Sequence, residues 1–174
     1  MGRVSCLIGD ITAQKTEAIV NSANSSLLAG SGVSGAIHKA AGSQLEAACR
    51  EIGGCEVGQS VYTPAFDLKP KTGANFVIHT VGPRFLDGSR GEADLLRSAY
   101  RSIVSVCDQL NVGTITIPSI STGIYHFPLI EAAEIAISTL AECTNMKRHY
   151  VFVCFDQITF EGYQSAIALG EELE

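Results

Sequence analysis

The chain lacks tryptophan and is short of positive charge, with 12 Lys and Arg against 18 Asp and Glu in 174 residues and a net charge of −6. That balance excludes the broad basic face needed for unspecific binding to nucleic acid or anionic membrane. It leaves room for a nucleotide held by backbone groups. No apolar run approaches the roughly 20 residues of a membrane span. The N-terminal stretch Met1-Gly2-Arg3-Val4-Ser5-Cys6 has no signal-peptide core, and Cys6 stands where a myristoylation signal needs Ser or Thr. The six cysteines, Cys6, Cys49, Cys55, Cys107, Cys143 and Cys154, form no C-x-x-C pair. His38, His79, His126 and His149 show no ligand spacing, so no metal site is predicted. Most of the cysteines sit in apolar patterns, which reads as buried, reduced thiols in a cytoplasmic protein. With no repeat, charge block or long linker, residues 1–174 read as one domain large enough for a substantial core, expected to work as a monomer.

What is present is an alternation of strands and helices. Strands are predicted at Arg3–Ile8, Ala18–Asn21, Ser60–Pro64, Phe76–Val81, Thr114–Ile117 and Tyr150–Phe155. Helices are predicted at Ser34–Ala41, Ser43–Ile52, Glu92–Leu110, Leu129–Cys143 and Phe160–Leu169, with Ser43 as an N-cap and Gly53-Gly54 as a stop. Leu68–Ala74 reads as a loop and the polar stretch Arg84–Gly91 as a mobile one. The pattern implies a three-layer α/β/α sandwich around a mixed, mostly parallel sheet. Ligands of such sheets sit outside the carboxyl ends of the strands.

Two loops rich in glycine and hydroxyl residues stand out: Gly30-Ser31-Gly32-Val33-Ser34-Gly35 and Ser119-Ile120-Ser121-Thr122-Gly123-Ile124-Tyr125. Each follows a strand pattern and leads into a helical one, which places backbone N–H groups where anions bind without Lys or Arg. Two such loops suggest a diphosphate between them. Gly30 to Gly35 matches G-x-G-x-x-G literally, but eight residues separate it from Asn21, whereas a dinucleotide turn follows its strand at once. A nicotinamide-dependent oxidoreductase therefore rests on that match alone. Asn21 and Asn24 each carry an amide that suits paired ribose hydroxyls, or equally an Asx-turn closing the strand. Asp10 reads as an acceptor for an exocyclic amine or as a helix cap. His126 is placed as an acid–base candidate beside the second loop, while His38 and His79 sit in apolar patterns and read as packed residues.

Taken in order, several stretches closely resemble the macrodomain family of ADP-ribose-binding modules. They are Gly9-Asp10-Ile11-Thr12, Ala18–Leu28, Gly32-Val33, Gly35-Ala36-Ile37-His38 to Gly42, Val77–Pro83, Ile117–Tyr125 and Val151–Asp156. The closest flavour is the MacroD-type subgroup, which includes hydrolases of ADP-ribosyl esters and of O-acetyl-ADP-ribose. The resemblance implies that Asp10 holds the adenine amine, with Ile11 on the ring and Phe155 and Asp156 at the pocket edge. It implies that Asn24 holds the distal ribose with Asn21 nearby. Gly32, Val33 and Ser34 would line the diphosphate on one side, and Ser121, Thr122, Gly123, Ile124 and Tyr125 on the other. The implied partner is ADP-ribose or an ADP-ribosylated protein, with no cofactor.

One departure bears on catalysis. The subgroup usually carries aspartate directly after the Gly-Val of the first loop, and this chain has Ser34. A hydroxyl is no general base near pH 7, and losing a positioned base costs roughly 10²–10⁴-fold in rate. Two expectations follow. In one, the chain hydrolyses ADP-ribosyl esters by substrate assistance, with Asn24, Asn21 and Ser34 as the candidate catalytic residues. In the other, it binds ADP-ribose as a reader and turns it over poorly.

Overall fold

The computed structural model describes residues 3–142 and 147–172. Six strands form one sheet: β1 (Arg3–Ile8), β2 (Ala18–Ala23), β3 (Ser60–Pro64), β4 (Phe76–Val81), β5 (Thr114–Ile117) and β6 (His149–Cys154). Their order across the sheet is β1-β6-β5-β2-β4-β3. Every neighbouring pair is parallel except β3 with β4, which places the antiparallel strand at one edge. The helices are α1 (Gly32–Ala41), α2 (Ser43–Ile52), the single turn α3 (Lys69–Thr72), α4 (Glu92–Leu110), α5 (Leu129–Ala141) and α6 (Gln157–Glu172).

Strand alternation sorts the core into two layers. Ala18, Val20, Ile78, Ile115, Ile117 and Phe152 face α4, α5 and α6. Ile19, Ala23, Val77, Val81 and Val153 face α1 and α2, packing on Ile37, Ala41 and Leu45. The expected three-layer α/β/α sandwich is therefore the architecture observed.

Several local readings change. β2 continues two residues past Asn21, because Ser22 and Ala23 pair in register with Thr80 and Val81. Ser43 is not the cap of α2. Gly42, at φ +87°, is the one residue between α1 and α2, closing the first and opening the second, and no side-chain cap forms at the start of α2. The stretch read as a loop at Leu68–Ala74 contains α3, whose first turn accepts Pro70 and whose Thr72 hydroxyl donates to the Leu68 carbonyl at 2.7 Å. The last helix is longer than expected at both ends, since Asp156 accepts the Thr159 N–H at 2.8 Å and fixes its start upstream of Phe160. Cys143, the predicted end of α5, lies outside the described residues, and no disulfide joins the described cysteines. Cys49, Cys107 and Cys154 are buried, whereas Cys6 and Cys55 are half-buried.

The polar stretch Arg84–Gly91 is held in place, contrary to expectation. The buried Glu92 carboxylate accepts the N–H groups of Leu86, Asp87, Gly88 and Arg90 at 2.6–3.1 Å. Those backbone donors keep its carboxyl down at about 2, so the anchor stays charged. A carboxylate that ends an apparent loop is easily read as the first residue of the next helix, which Glu92 also is.

Candidate functional site

At the carboxyl ends of the strands lies a cleft of about 350 Å³. The end of β1 supplies Asp10 and Ile11, β6 supplies Phe155 and Asp156, and β5 supplies Ser121, Thr122, Gly123, Ile124 and Tyr125. The end of β2 supplies Asn24, and the start of α1 supplies Gly32, Val33 and Ser34. Segments more than a hundred residues apart in sequence thus converge on one concavity. Asn21 does not line it. Its side chain is fully buried below the cleft in the layer of α1 and α2, where its Nδ2 lies 3.1 Å from Nδ1 of His79. Asn21 shares the strand face of Ile19 and Ala23, but it sits two residues deeper in β2 than Ala23, which does line the cleft, so it is covered by the layer of α1 and α2.

The cleft is built for an anion without cations. Among the described residues no Lys, Arg or His lines it. Ser31 is the N-cap of α1 but forms no side-chain cap. Among the described residues the N–H groups of Gly32, Val33 and Ser34 donate to no acceptor outside the helix, and none inside it is in reach at the first turn. Across the cleft, the N–H groups of Thr122, Gly123, Ile124 and Tyr125 also donate to no protein acceptor. These donors and the positive end of α1 favour a phosphate between the loops. The second loop reaches its helix at Leu129, the predicted start. His126, Phe127 and Pro128 intervene before α5.

Close packing sets the loops. A Cβ on Gly35 would meet the Gly30 carbonyl oxygen at 2.6 Å, so the first loop folds against its own helix only with glycine there. A Cβ on Gly82 would strike Ser121 Oγ and approach Ile120 Cγ2 to 2.5 Å, so the end of β4 abuts the second loop. That loop is also tied from below. The Ser119 hydroxyl lies 2.5 Å from that of Thr122 and 3.0 Å from the Tyr163 phenol on α6. Burial pushes the Tyr163 phenol up to about 12, so it stays protonated. Ser119, Tyr163 and Gly82 support the site without a motif of their own, and only the packing identifies them.

Charge is divided along the cleft. Asp10 accepts the N–H and hydroxyl of Thr12 at 2.9 and 2.7 Å, which holds its carboxyl below the usual range and caps the following turn. Its second oxygen remains for a ligand, so the cap and acceptor readings coexist. The Thr159 N–H lowers Asp156 in the same way. Both carboxylates lie at the β1–β6 end, where they would repel a phosphate and accept an amine. At the other end, Asn24 Nδ2 donates to the Leu28 carbonyl at 3.1 Å and Oδ1 accepts from Ser26 at 2.7 Å. Those bonds hold the amide still while it lines the cleft. The Ser34 hydroxyl is buried in the cleft wall and has no partner among the described residues. His126 is exposed, takes φ +59° and does not line the cleft. His38 and His79 are buried beneath α1, their rings 6.5 Å apart.

The Macro domain family model matches residues 20–136. The chain is a macrodomain. Over 170 residues it is 45% identical to a protein named O-acetyl-ADP-ribose deacetylase 1 from Pantoea vagans, covering 94% of this macrodomain and 97% of that relative. Its fold matches the Oceanobacillus iheyensis macrodomain solved with ADP at a TM-score of 0.90 and 35% identity, covering 97% of this chain and 92% of that one. It also matches the Trypanosoma brucei macrodomain in complex with ADP-ribose at a TM-score of 0.83 and 32% identity, over 95% of this chain and 69% of the other.

Proposed function

We propose that this macrodomain binds ADP-ribose in the cleft and hydrolyses ADP-ribosyl esters, either O-acetyl-ADP-ribose or mono-ADP-ribosylated Asp and Glu on proteins. The observation that carries the reading is the pair of facing rows of N–H groups, Gly32–Ser34 and Thr122–Tyr125, without protein acceptors in a cleft that no Lys, Arg or His lines among the described residues. The diphosphate lies between them. Adenine lies at the Asp10 and Phe155 end, its amine on the Asp10 carboxylate. The distal ribose lies by Asn24. Water held between the ribose and the diphosphate attacks the ester carbonyl carbon while a phosphate oxygen takes its proton; the acyl C–O(ribose) bond breaks, the proton passes to the departing ribose oxygen, and ADP-ribose and the free carboxylic acid leave. The site supplies orientation and a fixed field of N–H dipoles rather than a side-chain base. Asn21, buried on His79, then acts as support for β2 rather than as a contact. Relatives at 42–45% identity that carry the deacetylase name, together with neighbours solved with ADP or ADP-ribose, support this reading.

Ser34 supports a second reading, a reader that binds and releases ADP-ribose unchanged. A paired measurement separates the two: calorimetric titration with ADP-ribose, then release of ADP-ribose from a Glu- or Asp-modified protein. Binding with release supports the hydrolase. Binding without release supports the reader, and loss of binding defeats both.

Two variants test the placement. Asn24→Ala is expected to weaken ADP-ribose binding by roughly tenfold, the loss of about one well-made hydrogen bond to a buried hydroxyl, with the fold retained. Unchanged affinity would remove Asn24 from the site. Gly35→Ala forces the loop off the Gly30 carbonyl, because backbone cannot yield as a flexible side chain does. Its expected result is a loss of affinity larger than any loss of melting temperature, and wild-type binding would show that the loop geometry is immaterial.

A further inference from the structure

Strand order gives the cleft a direction. From the carboxylates at β1 and β6 it passes the β5 loop and reaches Asn24 at the end of β2. The next strand is β4, whose carboxyl end leads into Gly82, Pro83 and Arg84. Arg84 therefore stands at the far end from Asp10, just beyond the cleft lining. Its guanidinium lies over the Tyr125 ring, 5.3 Å from the centroid. The backbone beneath it is fixed: the Phe85 N–H donates to the Tyr125 carbonyl at 2.8 Å, and the Phe85 and Phe127 rings pack at 5.0 Å. Glu92 secures the residues that follow. Arg50, Arg90, Arg97, Arg101 and Arg148 each have a carboxylate within ion-pair distance; among the described residues Arg3, at the start of β1, and the exposed Arg84 have none. In an acidic chain, Arg84 is an exposed arginine in contact with an aromatic face, with its donor fork left for an outside acceptor.

We propose that Arg84 reads the acceptor polypeptide, binding a carboxylate of an acidic segment that flanks the ADP-ribosylated residue. The inference rests on ADP-ribose lying in the cleft with adenine at Asp10. That orientation brings the modified end of the distal ribose out past Asn24, on the side of β4. A guanidinium resting over the Tyr125 ring offers paired N–H groups to a carboxylate. A small ester such as O-acetyl-ADP-ribose carries no such carboxylate, so Arg84 distinguishes a protein substrate from a metabolite.

The test is calorimetry with three ligands: ADP-ribose, a Glu-flanked peptide carrying ADP-ribose through a non-hydrolysable link, and the same peptide with Gln flanks. At low salt the Glu peptide is expected to bind the wild-type chain roughly fivefold more tightly than the Gln peptide, the effect of one exposed but well-oriented ion pair. The preference is expected to shrink as salt rises, to vanish in R84A and to reverse in R84E, with ADP-ribose affinity unchanged in both variants. Equal affinity of the wild type for the two peptides overturns the inference, as does a preference that survives R84A. An equal loss for all three ligands in R84A also overturns it, because Arg84 would then act by supporting Tyr125. If the wild type binds none of the three, the ADP-ribose reading itself fails and takes this one with it. If it binds ADP-ribose but shows no preference between the peptides, only the acceptor recognition falls.

Discussion

Replacing Ser34 with aspartate is expected to raise the rate of ester hydrolysis by at least tenfold while leaving ADP-ribose affinity within a few fold of wild type. Ser34 is the third residue of α1, next to the unpartnered N–H groups of the first turn, and its hydroxyl is buried without a partner. A carboxylate at that position is favoured by the positive end of the helix, so the substitution adds a charge where the fold accepts one. There it can orient the attacking water and take its proton, a contribution of roughly 10²–10⁴-fold when a positioned base is present. The gain should appear in kcat, because the change acts on the reacting water and not on the ribose or the diphosphate. Single-turnover release from a Glu-modified protein, measured alongside calorimetry, reads both quantities. A folded S34D variant that binds ADP-ribose and gains no rate would show that chemistry in this site does not depend on a base at position 34. That result would favour full substrate assistance if the wild type is active, and the reader if it is not.

Acidification from pH 6.5 to 4 is expected to destabilise the fold by up to about 3 kcal/mol through one ring. His79 is fully buried, and desolvation, with a smaller push from His38, lowers it to about 4 from 6.5. Its neutral form is held by Asn21 at Nδ1 and Thr63 at Nε2. Above pH 6.5 the ring is neutral in both folded and unfolded chains and contributes no pH dependence. Below 6.5 the unfolded chain takes up a proton that the folded chain refuses until about 4, so stability falls across that window and the loss is complete below it. For a chain of this size the loss corresponds to a fall in melting temperature on the order of 10 °C. Burial lowers His38 and His149 as well, so the decisive measurement is a difference between slopes. His79→Gln should flatten the melting temperature against pH between 6.5 and 4, and a curve parallel to the wild type would sink the assignment.

The contrast between Asn21 and Asn24 shows where reading the sequence stops. Both were legible as amides at the end of a strand, and both fit a ribose. Asn21 lies inside β2 and is buried under α1 and α2, whereas Asn24 lies just past the strand end at the cleft, and nothing in the residue types says which depth the cleft takes. Glu92 is a second case. The sequence gives a helix beginning at that residue and a polar stretch before it, but four backbone donors converge on its carboxylate only when the chain has turned back on itself. Ser119, Gly82 and Tyr163 belong to the same class, since their roles exist only as contacts between segments far apart in the chain.

Sequence alone determined the layer architecture, the two glycine-rich loops and the family, because hydrophobic periodicity and the need for glycine at close approaches are local constraints written residue by residue. It also set the absence of lining cations, through an acidic composition with no basic residue in either loop. The tertiary structure alone decided that the two loops face each other, that Asn24 and not Asn21 reaches the cleft, that the carboxylates gather at one end, and that Arg84 stands at the other. Those facts depend on strand order, which brings β2 between β5 and β4, and on the direction of side chains from each strand. Both are fixed by packing the two helical layers on one sheet, a choice made by the whole chain at once.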